Sequence, residues 1–219
     1  MYIPKHFEEA DPAVLHALIR AHPLGTWACL AREEIVVNHI PFLLEVGEAG
    51  APRLVGHVAR ANPIWQTCAT DRLAVVVFQG PEAYITPSWY AAKREHGKVV
   101  PTWNYAVVHA HGRPRFIQDR EWLRALVSRL SAEHEAREAR PWSVTDAPPD
   151  YIEGLLAGVV GVEIPIDRLV GKWKMSQNRP PSDHPGIVDG LRARDDDPAR
   201  AVADCVAELM TCVLGYPRF

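Results

Sequence analysis

With 219 residues, 47% of them hydrophobic and 23% charged, the chain can bury a sizeable core and has the composition of neither a disordered segment nor a fibre. A net charge of −3 disfavours a nucleic-acid polyanion as the partner of the whole molecule and leaves only a local basic patch for such contacts. No run approaches the ~18–20 apolar residues of a membrane span, and Met1 to Glu9 has neither a basic leader nor an apolar stretch, so a cytoplasmic protein without membrane contact is expected.

Asp11 and Pro12 combine an N-cap with a first-turn proline, and Val14, Leu15, Leu18 and Ile19 recur at helical spacing until His22-Pro23, which predicts an opening helix. Short β segments follow over residues 25–31, 35–44, 53–59, 73–80 and 82–86, separated by charged or Gly/Pro turns. Their close spacing predicts a meander or barrel. Residues 35–44 are apolar on both alternating faces, so both need cover, and Pro41 predicts a bulge or an edge.

Residues 103–111 read as a long strand, with Trp103, Tyr105, Val107, His109 and His111 on one face and Asn104, Ala106, Val108 and Ala110 on the other. Trp122, Leu123, Leu126, Val127 and Leu130 then form the stripe of a helix reaching about residue 137. A short helix is predicted over 150–157 and a strand over 159–166, with the strand supply ending near Met175. Arg179-Pro180-Pro181 opens a linker, Asp195 to Asp197 forms an acidic approach, and a last helix is predicted over 198–214. The expected organisation is one domain: a barrel with helical insertions over 1–178, and a linker and C-terminal helix over 179–219 packed on it.

The four cysteines, Cys29, Cys68, Cys205 and Cys212, form no CxxC pair and sit in apolar or helical settings, where the role of a small buried hydrophobe is expected. His109 and His111 share a strand face, but no third ligand can be placed, so no metal site is expected. Neither GxGxxG after a strand nor GxxxxGK[ST] occurs. Polar and aromatic residues instead gather in otherwise apolar segments: Asn38, His39, His57 and Arg60; Gln79, Tyr84, Thr86, Ser88, Trp89 and Tyr90; Lys98, Thr102, Trp103 and Asn104; and Lys172, Trp173, Ser176, Gln177 and Asn178. A flavin asks for this mixture, with apolar cover for its dimethylbenzene edge, amide-like partners for its pyrimidine edge and cations or hydroxyls for phosphate. Sugar contacts or ordinary turns would use the same residue types.

Seven strings bear on that choice: Met1-Tyr-Ile-Pro-Lys-His-Phe, Asn38-His-Ile-Pro-Phe, Gly56-His-Val-Ala-Arg-Ala-Asn-Pro, Phe78-Gln-Gly-Pro, Ser88-Trp-Tyr, Lys98-Val-Val-Pro-Thr-Trp-Asn-Tyr and Gly171-Lys-Trp-Lys-Met-Ser-Gln-Asn-Arg. In this order, over residues 1 to about 190, they closely resemble the PaiB family. The resemblance implies a mainly β, α+β protein of the FMN-binding split-barrel type, related in fold to pyridoxine phosphate oxidases, usually dimeric, and described as a negative regulator of sporulation and protease genes. It leaves the final 30 residues uncovered.

On that resemblance the FMN-binding residues are Asn38, His39, His57, Arg60, Lys98, Thr102, Trp103, Asn104, Lys172, Ser176, Gln177 and Asn178. Arg60 is the phosphate candidate, Lys98 a comparable one, and residues 172–178 a lid near the ring together with Asn38 and His39. Each has a plain alternative: a surface Arg60 before the Asn62-Pro63 helix start, a core Trp103, a hydrogen-bonded structural His39, a solvated 172–178 loop. A homodimer is expected, because a two-fold contact would cover residues 35–44. Whether a reaction is catalysed stays open. An indirect effect on transcription fits better than direct DNA binding, since no helix pair offers a basic reading face. The alternatives are a nicotinamide-dependent flavin oxidoreductase acting on a small molecule and, third, a haem-binding split-barrel protein.

Overall fold

The computed structural model describes residues 1–47, 51–194 and 196–213, the side chains of 211–213 excepted. In chain order its elements are β1 (Glu8–Glu9), α1 (Pro12–Ala21), β2 (Leu24–Ala31), β3 (Glu34–Pro41), β4 (Leu43–Val46), β5 (Pro52–Ala59), α2 (Ile64–Thr67), β6 (Ala74–Ile85), α3 (Ala91–Glu95), β7 (Thr102–Gly112), β8 (Arg115–Ile117), α4 (Arg120–Glu135), α5 (Pro149–Ala157), β9 (Val159–Lys174), α6 (His184–Arg192) and α7 (Asp197–Val213). Strand neighbours run β3-β2-β6-β7-β9-β5-β4, with β1 and β8 added on β9, so the sheet is not closed. The architecture is mainly antiparallel β with several helices. Asp195 and Leu214, which fall in the acidic approach and at the end of the predicted last helix, lie outside the described residues.

The chain divides into two compact units, the first made of Met1–Leu18, Gln79–Val108 and Val170–Phe219, the second of Ile19–Phe78 and His109–Leu169. In the second unit β2 and β3 form a hairpin in the register Leu24↔Pro41 to Ala31↔Glu34, turned at Arg32, whose φ of 57° is rare for a residue with a Cβ. Gly25, Trp27, Cys29 and Ala31 are buried on one side of β2. On the other, Leu24, Ala28 and Leu30 lie opposite Pro41, Val37 and Ile35, and Ile35 is 78% exposed, Val37 50% and Leu24 61%. The strand predicted over 35–44 therefore has an apolar face that its own chain leaves open.

That strand also divides. Phe42 leaves the ladder, its N–H donating to Pro23 O at 2.9 Å while its ring is buried edge-on to Phe78, and β4 pairs with β5 instead of β2. Pro41, with no N–H to offer, marks the switch. On β9, Gly161 pairs with His57 of β5 and Ile117 of β8, and a Cβ there would come within 2.2 Å of the Trp122 ring, so glycine lets α4 approach the sheet. Leu126 and Leu130 of α4 pack on Val55, and Leu123 joins Val144, Ile152 and Leu156. Asp119 caps α4 by accepting from Trp122 N–H at 2.8 Å.

In the first unit β1 pairs with the end of β9 through Glu8↔Lys172 and Glu9↔Gly171. The segments predicted as separate strands over 73–80 and 82–86 are one strand, β6. Gly80 makes no turn; a Cβ on it would lie 2.8 Å from Leu18, so its smallness serves packing. Likewise β9 runs unbroken from the segment predicted over 159–166 to Lys174. The stretch read as a linker after Arg179 contains α6, whose Ile187, Val188 and Leu191 are buried along with Val202, Ala203 and Val206 of α7. Gly186 and Gly190 admit Trp89 against α6, where a Cβ on Gly190 would stand 2.2 Å from the indole. Apolar residues of a nine-residue helix opened by prolines give too short a period to stand out from a loop.

Candidate functional site

In the second unit, Asn38 projects from β3 and its Oδ1 accepts a hydrogen bond from Asn62 Nδ2 at 2.7 Å. Asn62 Oδ1 in turn accepts from Ile64 N–H at 3.0 Å, which ties the pair to the start of α2. Asn38 Nδ2 is buried without a partner, and so is His57 Nδ1 on β5. Burial holds the His57 pKa below the ordinary imidazole value of 6.5, so the ring is neutral and Nδ1 either donates or accepts according to its tautomer. His39 is exposed, opposite Thr26 in the hairpin register.

Arg60 is more occupied than a surface residue would be. Its Nε donates to Ala157 O at 2.8 Å, Nη1 to Gln118 Oε1 at 2.9 Å and Nη2 to Val159 O at 3.1 Å, and the guanidinium lies 5.7 Å from the centre of the Trp65 ring. These contacts clamp the end of α5 and the start of β9, leaving the remaining N–H groups of the fork for a ligand.

In the first unit, Thr102, Trp103, Asn104, Ser176 and Gln177 are brought together, and the residue that joins them is Lys174. Its ammonium donates to Thr102 Oγ1 and to Trp103 O at 2.9 Å. Burial, then the neighbouring Lys172, pushes its pKa down from the usual lysine value. Ser176 Oγ donates to Asn104 Oδ1 at 3.1 Å, with Asn104 fully buried and its Nδ2 unpartnered. Ser176 holds φ of 66° and its carbonyl meets His184 Nε2 at 3.1 Å. Gln177 folds back on its own turn, accepting from Met175 N–H and donating to Trp173 O, each at 2.6 Å.

Lys172 donates to Tyr2 O at 3.2 Å and lies 5.3 Å from the centre of the Tyr105 ring. Trp103 is 52% exposed, edge-on to Tyr84 at 6.1 Å. Lys98 is exposed, its own N–H donating to His96 Nδ1 at 3.0 Å, and Asn178 is exposed too. Neither Asn62 nor Lys174 is among the twelve sequence-derived residues, although Lys174 lies within the 172–178 stretch. Asn62 was legible as a cap before Pro63, and Lys174 as the second lysine of Lys172-Trp173-Lys174.

A cavity of about 680 Å³ in the second unit is lined by Arg20, Phe42, Leu44, Glu45, Arg129 and Arg137 among others, and by none of the twelve sequence-derived residues. Glu45 there is engaged by Arg53 at 2.8 Å and Arg129 at 2.9 Å. Among the described residues no cluster of three or more His, Cys, Asp or Glu is arranged for a metal. No helix among them is long and apolar enough to cross a membrane.

Residues 1–168 match a protein-family model described as "Putative FMN-binding domain". An uncharacterized protein of Emericella nidulans is 33% identical over 95% of this chain and 97% of its own length. The Bacillus subtilis protein named protease synthase and sporulation protein PAI 2 is 29% identical over the same shares. Among solved structures, the flavocytochrome Anf3 of Azotobacter vinelandii superposes with a TM-score of 0.52 at 17% identity, covering 78% of this chain and 72% of that one. The FAD and heme binding protein of Mycobacterium smegmatis does so with a TM-score of 0.51 at 16% identity, covering 76% and 73%. At such identities the two structures bear on the fold alone, which is that of the flavin-binding split barrels.

Proposed function

This chain belongs to the FMN-binding domain family whose model its residues 1–168 match, and from that membership we propose that it is a homodimeric flavoprotein whose flavin exchanges electrons with a small acceptor, any effect on transcription being indirect. FMN is its cofactor. The observation that carries the reading is the pair of buried, unpartnered nitrogens, Asn38 Nδ2 and His57 Nδ1. Buried polar atoms are rarely left so, and each of these is of the kind that bonds to the carbonyl and imide groups of a ligand.

When bound, FMN supplies the electron-transfer chemistry. The chain's residues hold and orient it. In the second unit Asn38 offers its amide N–H, His57 a neutral ring nitrogen, His39 an exposed imidazole and Arg60 the unused N–H groups of a rigidly held fork for phosphate. The first unit by itself carries exposed Trp103 and Tyr84, the cations of Lys98 and Lys172 and the unpartnered amide of Asn104, a separate set of groups of the kinds a flavin uses. The Gln177 and Ser176 bonds keep the 173–178 turn in one shape.

The outward side of the β2–β3 hairpin supports the homodimer, since Leu24, Ile35 and Val37 form an apolar surface that a second copy would cover symmetrically. The likeness to a protein named for protease synthesis and sporulation supports a regulatory connection. The net charge of −3 supports an indirect one. Unpaired thiols at Cys29, Cys68 and Cys205 support the cytoplasm as its place.

The test is an absorbance scan of the purified protein, followed by denaturation and chromatography of what is released. FMN bands and co-elution with authentic FMN are expected. Release of FAD, a haem band, or no tight binding of FMN by the stripped protein overturns the reading.

A further inference from the structure

Cys29 lies on the buried side of β2, and Cys68 immediately follows α2. An antiparallel bridge joins Ala31 to Cys68. It is framed by Arg32 N–H donating to Thr67 O at 3.1 Å and Ala69 N–H donating to Leu30 O at 2.9 Å. Residues facing each other across such a bridge project to the same side, and Cys29, two positions before Ala31, shares that side.

The two thiols consequently face one another and differ in character. The facing Cys29 side chain, by its hydrogen bond, holds the Cys68 pKa below the ordinary thiol value. The same contact, then burial, pushes Cys29 far up. Cys68 is also the more accessible, half-buried where Cys29 is buried. A lowered, reachable thiol beside a buried second one is the arrangement in which peroxide attacks the first and the second resolves the product.

We propose that Cys29 and Cys68 form a redox-active dithiol, which a hydroperoxide converts reversibly to an intramolecular disulfide. The Cys68 thiolate attacks one peroxide oxygen, an S–O bond forms, the O–O bond breaks, and water leaves after protonation. Cys29 sulfur then attacks the Cys68 sulfenic acid, forming the S–S bond and breaking S–O, and its proton departs with the second water. Two thiols lose two electrons in total, and hydrogen peroxide gains them to become two waters.

Diagonal neighbours across an antiparallel pair have Cα atoms about 7–8 Å apart, and a disulfide holds them within about 6.8 Å. Closure therefore draws residues 67–69 toward β2 by roughly an ångström. That segment is held on β2 by the two backbone hydrogen bonds named above and ends a four-residue helix, so it can yield. Asn62, two residues before that helix, accepts from its first N–H and holds Asn38, and the helix contains Trp65, whose Nε1 donates to Arg60 O at 2.9 Å. Oxidation thus acts on the chain that positions Asn38, while the dithiol chemistry itself needs no flavin.

The experiment treats the full chain with a small excess of hydrogen peroxide, blocks free thiols with iodoacetamide and digests with trypsin without reductant. The expected product is the peptide of residues 21–32 linked to that of residues 61–72, absent before oxidation and lost again with dithiothreitol. Cys29→Ser should stop the reaction at a Cys68 sulfenic acid captured by dimedone, and Cys68→Ser should abolish both products. Alkylation of both thiols after peroxide, linkage through Cys205, or a link between two chains overturns the proposal. Should either serine variant fold poorly, the peptide map of the unaltered chain decides alone.

Discussion

A buried imidazole nitrogen without a partner, as at His57, costs a folded protein about 1–3 kcal/mol until something bonds to it. His57→Phe removes that atom while keeping a ring, so FMN binding should weaken about tenfold, the ~1.4 kcal/mol of one hydrogen bond. The unliganded variant should unfold at an equal or higher temperature. Flavin fluorescence titration and thermal melts check the two halves. Acid should act through the same group. The folded pKa of His57 is depressed below 6.5 by burial, as are those of His22, His109 and His111, so the unfolded chain binds more protons in the window beneath 6.5. Stability should fall as pH drops through that window, and urea midpoints measured across it should show a shallower slope in His57→Phe. Asn38, His57 and Asn104 stand out in the sequence as polar side chains in apolar strands, and the structure shows that each has an atom buried without a partner. The ties of Arg60 were not, since its partners lie 58 to 99 positions away.

Where a helix lies on a strand, the spacing between them is set by the smallest residue in the contact. Gly161 fills that role under Trp122, and Gly161→Ala forces a Cβ into a ring 2.2 Å away. The variant should lose about 2–3 kcal/mol by urea unfolding, the magnitude of an overpacked core. Trp122→Leu in the same chain should recover part of it, which would tie the loss to this contact. Gly80 carries a related lesson for reading strands. A Gly-Pro pair reads as a turn, and residues 73–86 accordingly read as two strands, yet burial alternates through most of β6 and the glycine accommodates Leu18. Nothing local to the dipeptide distinguishes a turn from a site of close approach.

At the scale of the molecule, the open side of the β2–β3 hairpin is the feature that its own chain does not complete. Ile35 and Val37 point outward from an edge strand, in register with Leu30 and Ala28, and Leu24 extends the surface opposite Pro41. Light scattering of the native protein at low micromolar concentration should give the mass of two chains. Val37→Lys, a substitution at a half-exposed position that should leave the single chain folded, should give the mass of one. A native monomer with full cofactor would show that the surface serves something else.

The strand over 25–31, the alternation of β7, the stripe of α4, the cap at Asp11 and the residue types suited to a flavin were all determined by the sequence itself. Each depends on neighbours within a turn of helix or a few strand positions, where periodicity is a direct record of burial. Tertiary structure alone decided that the strand predicted over 35–44 switches partners at Phe42, that the stretch after Arg179 packs as α6, that Lys174 joins Thr102 to Trp103, and that Cys68 lies across from Ala31 within reach of Cys29. Those outcomes rest on contacts between residues tens of positions apart. Such contacts are selected by the free energy of the assembled core, and no local pattern encodes them.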